Sequence, residues 1–115
     1  MRLVIVHRFL FVAEALKPWL ERQPEIEVAG MFHSGTEEAI AAVTRMTPDV
    51  VLVEAKTGGP ALVRRLRTAL PRARIVVLAA TLEASEERAV VAAGADAYLQ
   101  QDHNQPFLVR QILSA

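Results

Sequence analysis

The segment DVVLVEAKTGGP, Asp49 to Pro60, is an apolar run that stops on a carboxylate, Glu54, just before a glycine pair. An acid at the tip of a buried strand is costly unless another group pairs with it or a reaction uses it. A second polar point follows another apolar run, where His7 and Arg8 come directly after RLVIV. A histidine in this place suits a proton shuttle or pH sensor; the plainer reading is a partly exposed loop histidine. His33 and His103 fall in other loops and have no metal-ligand spacing. The chain has no cysteine, which excludes disulfides, thiolate nucleophiles and Cys-type zinc sites. It also lacks a glycine-rich phosphate loop, a Gly-x-Ser-x-Gly motif and a His-Glu-x-x-His motif. With no nucleophile–base pair in sight, the expectation is a protein that is not an enzyme.

Two further stretches carry chemistry. RRLRTALPRAR holds Arg64, Arg65, Arg67, Arg72 and Arg74. These arginines are a candidate nucleic-acid patch, but the intervening leucines take the core side, so most are expected simply to solvate the opposite one. Phe9, Leu10 and Phe11 form an apolar stretch after the first run. It is expected either to cap a neighbouring pocket or to meet a partner.

Elements that could position these residues are legible. The runs LVIV, IEVAGMF, VVLV and IVVL, with a weaker DAYLQ, read as five strands. Three are continuous and rich in Val and Ile, as in strands buried on both faces of a parallel sheet. Helical stripes alternate with them: Val12, Leu16, Trp19 and Leu20; Ala39, Ile40 and Val43; Leu62, Leu66 and Leu70; Val90 and Val91; Leu108, Val109 and Ile112. Ser34 to Glu37, SGTE, has capping-box spacing, and Pro60 suits a first helical turn after Gly58 and Gly59. Pro71 and Gly94 are stops, Asn104 or Gln105 with Pro106 opens the last helix, and Pro18 is expected to kink or shorten the first. The order is (βα)₅, an α/β doubly wound parallel sheet with helices on both faces. In such a sheet, sites form at the carboxyl ends of the strands. That places His7, Arg8, Glu54, Ala79, Ala80, Gln100 and Gln101 together.

The bulk properties agree. The chain has 115 residues, enough for one domain over residues 1–115, with 13 basic and 13 acidic side chains. That balance argues against nucleic-acid binding by bulk charge. The start superficially resembles a signal peptide, but His7 and Arg8 divide its apolar run, and no run approaches a membrane span. A cytoplasmic protein with no membrane association is expected.

Taken together, the sequence resembles the receiver domain of two-component response regulators, in the form found at the N-terminus of NarL/LuxR-type transcription factors. The resemblance rests on RLVIV, PEIEVAGMFHSGTEEAI, PDVVLVE, PRARIVVLAA and AAGADAYLQQD, in that order, and covers essentially the whole chain. It implies a CheY-like, flavodoxin-like fold with strand order 2-1-3-4-5. Receivers carry an acid pair that helps hold Mg²⁺, a phosphoacceptor Asp, a hydroxyl and a Lys. At those positions this sequence has His7 and Arg8, Glu54, Ala79 and Gln101, and its loop after the third strand reads AKTGGP. Only Tyr98, at the aromatic switch position, is kept.

These departures imply a degenerate pseudo-receiver that binds no Mg²⁺, uses no cofactor and works without phosphorylation. Arg8 is expected to bond Glu54 through a charge-assisted pair, forked if geometry permits, with Lys56 as the rival partner. Glu54 could otherwise mimic a phosphorylated Asp, or touch a small ligand in the remodelled pocket, which would make the domain a ligand sensor. The resemblance further implies a protein partner or a second copy of the chain as partner. Arg88, Ala92, Tyr98, Arg110 and Gln111 are the candidate interface residues. DNA would be reached only through a helix-turn-helix domain following Ala115.

Overall fold

The computed structural model describes residues 1–101 and 105–114. Strands β1 (Arg2–Val6), β2 (Glu27–Phe32), β3 (Val50–Glu54), β4 (Arg74–Ala79) and β5 (Ala97–Gln100) alternate with helices. The helices are α1 (Leu10–Leu20), α2 (Glu37–Met46), α3 (Gly59–Ala69), α4 (Ala84–Ala93) and α5 (Gln105–Leu113). The strands form one sheet in the order β2-β1-β3-β4-β5, parallel at every pairing. This is the α/β (βα)₅ architecture expected, with the expected strand order.

Pleating divides each apolar strand between two cores. Val4, Val6, Val51, Val53, Ile75 and Val77 face α2, α3 and α4, where Val43, Leu62, Leu66 and Val90 pack. The alternate residues Leu3, Ile5, Val50, Leu52, Val76 and Leu78 face α1 and α5, meeting Ala13, Leu20, Leu108 and Ile112. Continuous apolar runs are therefore required in the three central strands, because neither face of the sheet reaches water. The observed register sets Val6 opposite Val53 and Glu54 opposite Leu78 at a common edge.

Several local expectations need correction. Pro18 does not shorten α1, which runs on to Leu20. Pro18 and Glu14, the residue whose carbonyl it would otherwise serve, are both exposed, so water can replace the missing bond. Ala13 rather than Val12 is the residue buried deepest near the start of that helix. The cap of α2 is Thr36, not Ser34: the Thr36 hydroxyl accepts from the Ala39 amide at 3.1 Å. In the apolar stretch after β1, Phe9 is the N-cap of α1, and Leu10 and Phe11 begin the helix. Gln105 and Pro106 open α5; Asn104 and His103 lie outside the described residues.

The arginine-rich segment is corrected most. Arg65 pairs with Glu37 and the Gly35 carbonyl. Arg74 bonds Gln111. Arg67 is built into the fold: its guanidinium donates to the carbonyls of Leu70, Pro71, Ala73 and Gly94, and to Asp96 at 2.6 Å. It thereby ties the turn after α3 to the turn after α4. Arg67→Ala is expected to cost about 3 kcal/mol, because several carbonyls, most of them part-buried, and Asp96 lose a charged donor together. Urea unfolding monitored by circular dichroism measures this; a loss below about 0.5 kcal/mol, the range of ordinary surface changes, would refute the clamp.

Candidate functional site

Four strand ends supply the site. At the end of β1 the chain stays extended for one more residue, the His7 amide donating to the Phe32 carbonyl at 2.8 Å. The His7 side chain is therefore buried, at 3% exposure, and not the partly exposed loop histidine expected. The Phe9 amide donates to its Nδ1 at 3.1 Å. A backbone donor at Nδ1 leaves the ring proton on Nε2, which then donates to Gln101 Oε1 at 3.1 Å. Gln101, at the lysine position, is thus turned toward His7.

Glu54 closes β3 at 7% exposure. Arg8 Nε donates to both its carboxylate oxygens, at 3.0 and 2.9 Å. The pair expected between them is present, but as one shared N–H rather than a two-pronged fork. Thr57 completes it. Its hydroxyl donates to Glu54 Oε1 at 2.6 Å and accepts from the Arg8 amide at 2.9 Å. Thr57 was not singled out in the sequence; its only signal is a hydroxyl three residues beyond the acid, inside the glycine-bounded turn. His7 Nδ1 stands 4.0 Å from Glu54 Oε1. The Arg8 guanidinium also lies over the Phe9 ring, 4.6 Å from its centre.

Lys56 takes another partner. Its ammonium bonds Glu86 at 3.0 Å, so it does not compete for Glu54. Glu86 also accepts from the Tyr98 hydroxyl at 2.6 Å, and that hydroxyl accepts from the Glu83 amide at 3.1 Å. A continuous chain therefore runs from the loop after β3, across the first turn of α4, to Tyr98 on β5. The sequence marked Lys56 and Tyr98 but not Glu86 or Glu83, which are two of several acids around the start of one helix.

Ala79 is buried and offers no hydroxyl. Arg8, Lys56, Ala79, Ala80, Glu83 and Glu86 line a cavity of about 170 Å³ over the strand ends. Phe9 and Phe11 do not line it; they are 44% and 71% exposed, so they do not cap the cavity. The donor set does not fit a divalent cation. A magnesium site wants several free carboxylate oxygens, whereas here Glu54 is covered by the Arg8 guanidinium and Glu86 is paired with Lys56. Among the described residues no group of three or more His, Asp or Glu side chains could hold a metal ion.

Of the candidate interface residues, Arg88 and Ala92 are exposed on α4. Tyr98 and Gln111 are turned to internal partners, and Arg110 lies over Phe107, 5.6 Å from its ring centre.

The Tyr98 hydroxyl, then Lys56, hold the Glu86 carboxyl below its ordinary 4.5. The hydrogen bond to Glu86 raises Lys56, and burial followed by that same carboxylate raises Tyr98. A depressed acid stabilises the fold above its ordinary value and loses that contribution as pH falls through its folded value. The raised lysine and tyrosine contribute below about pH 10 and lose their contribution as pH rises beyond it. The stability difference between the parent and Glu86→Gln is therefore expected to be flat from about pH 6 to 9 and to narrow at both extremes. Denaturant midpoints across pH test this; a difference independent of pH would remove the chain from the account.

No family model matches the sequence, and no curated protein matches it. Solved structures do. The signal receiver domain of NarL from Mycobacterium tuberculosis superposes with TM-score 0.86 at 21% identity, covering 98% of this chain and 93% of that one. A LuxR-family two-component response regulator from Aurantimonas sp. SI85-9A1 gives 0.85 at 24% identity, over 95% of this chain and 79% of that one. A Burkholderia pseudomallei response regulator, solved with a phosphorylated aspartic acid, a calcium ion and citrate, gives 0.83 at 23%, over 96% and 65%. The chain has the receiver-domain fold of NarL/LuxR-type response regulators.

Proposed function

We propose that this chain is a pseudo-receiver: a regulatory module that acts through protein–protein contact or self-association without accepting a phosphoryl group. One observation carries the reading. The guanidinium of Arg8 covers both oxygens of Glu54, at the position where a receiver gathers carboxylates around a cation. Phosphoryl transfer to a carboxylate depends on cationic stabilisation of the transferred group. Here the carboxylate has a fixed internal cation, Ala79 replaces the hydroxyl, and Gln101 is engaged by His7. The same arrangement weakens phosphomimicry, since the groups a mimic would draw in are absent or occupied. In this reading the domain is non-enzymatic, needs no Mg²⁺, works in the cytoplasm, and belongs to a transcriptional regulator whose DNA-binding part lies elsewhere. Its contact face is the α4–β5–α5 side or the α1/α5 side.

A second reading, small-ligand sensing, is supported by the cavity beside Arg8 and Lys56. A stabilising shift in thermal unfolding with a small metabolite would favour it over the first.

The leading reading predicts that Mg²⁺ with beryllofluoride leaves the amide NMR spectrum unchanged around Glu54 and Tyr98. Saturable shifts there would overturn it. The site itself predicts that Arg8→Ala destabilises the domain by about 2 kcal/mol at neutral pH. That is less than the loss typical of a fully buried pair, because Arg8 is 48% exposed and water reaches the gap. Unchanged denaturant stability would show that Glu54 does not depend on Arg8.

A further inference from the structure

The arginine-rich segment has a second consequence, at the end of the sheet opposite the site above. Arg67, Arg72, Arg74, Gly94, Ala95 and Asp96 line a groove of about 390 Å³, with Pro71 and Ala73 completing its wall. Three arginines and one carboxylate are among its lining residues. One oxygen of that carboxylate is engaged: Asp96 Oδ2 accepts from Arg67 at 2.6 Å and from the Ile75 amide at 2.8 Å. Arg74 is half-buried, yet both its acceptors are neutral, the Gln111 carbonyl at 2.6 Å and Gln111 Oε1 at 3.1 Å. A charge partly withdrawn from water without a counter-charge is unfavourable and is relieved by an anion. Arg72 is exposed and has no hydrogen-bond or ion-pair partner among the described residues. The groove thus carries three arginines against a single acidic residue.

We infer that this groove is an oxyanion site for a phosphate-class ligand, either free phosphate or a small phosphomonoester. Arg72 supplies the open guanidinium fork and Arg74 its Nη1 edge, both suited to tetrahedral oxyanions. Arg67, whose donors are committed to carbonyls and Asp96, fixes the groove walls. The wall comes from α3, the turn after it, β4 and the turn after α4, so an anion here would bridge elements distant in sequence. The inference is independent of the pseudo-receiver reading, because none of these residues belongs to the Glu54 site.

The test titrates inorganic phosphate into the full chain at constant ionic strength, balanced with chloride, and follows amide NMR shifts. Saturable shifts at Arg72, Ala73, Ala95 and Asp96 are expected. Arg72→Ala removes no contact of the fold and is expected to weaken binding about ten-fold, as for loss of one charge-assisted contact. Arg64→Ala removes an exposed cation outside the groove and is expected to leave affinity within about two-fold. Shifts that do not saturate, or equal weakening by the two variants, would reduce the site to general attraction by basic surface and overturn it. A short DNA duplex serves as the competing source of phosphate. Binding of the duplex with no response to inorganic phosphate would also overturn the inference, in favour of a backbone-binding surface.

Discussion

One buried carboxylate sets the terms for the site. Glu54 lies at the end of the central strand β3, between β1 and β4, at 7% exposure. A charge in that position needs compensation within the protein. Arg8 provides it from the neighbouring strand end, and Thr57 supplies a further bond to the same oxygen. Three carboxylates crowded at these strand ends would call for a divalent ion; a single one is satisfied by a single guanidinium. Once Arg8 is committed, the remaining substitutions form a consistent set. His7 fills the space beside Glu54 as a neutral ring, and Gln101 turns to meet it. Ala79 adds no polar atom that would need a partner. Among the described residues, no buried side-chain nitrogen or oxygen lacks a hydrogen bond.

A second polar chain extends this self-sufficiency toward the helical surface. Lys56, Glu86 and Tyr98 connect the loop after β3 with α4 and β5 through bonds of 3.0 and 2.6 Å. The Tyr98 ring packs against the core on the α2–α3–α4 face of the sheet while its hydroxyl holds Glu86 and the Glu83 amide. The first turn of α4 is positioned by groups internal to the domain.

The fold was legible because burial on both faces of a parallel sheet leaves a compositional mark. Continuous Val, Ile and Leu runs at Leu3, Val50 and Ile75 cannot be read easily as half-exposed strands. The central pair of the site was legible too, since the topology brings Arg8 and Glu54 to adjacent strand ends and their charges are opposite. Thr57, Glu83 and Glu86 were not, because a hydroxyl in a turn and acids near a helix start are ordinary features whose partners depend on side-chain direction. His7 was misjudged for a related reason: whether a residue just past a strand is buried depends on the length of the neighbouring strand, here β2 reaching Phe32. The arginines were read as surface because their spacing fits an exposed face. Long side chains can nevertheless fold back over helix and turn carbonyls, as Arg67 does.

Arg67 also bears on how the molecule opens. It joins the turn between α3 and β4 to the turn between α4 and β5, where Gly94 lies 27 residues along the chain from Arg67. Gly94 receives it closely: a Cβ at that glycine would come within 2.8 Å of the Arg67 side chain, and its φ of +122° already disfavours other residues. Neither turn can loosen without releasing the other. In terms of hydrogen exchange, the two turns and the elements they end, α3 and α4, are expected to open together.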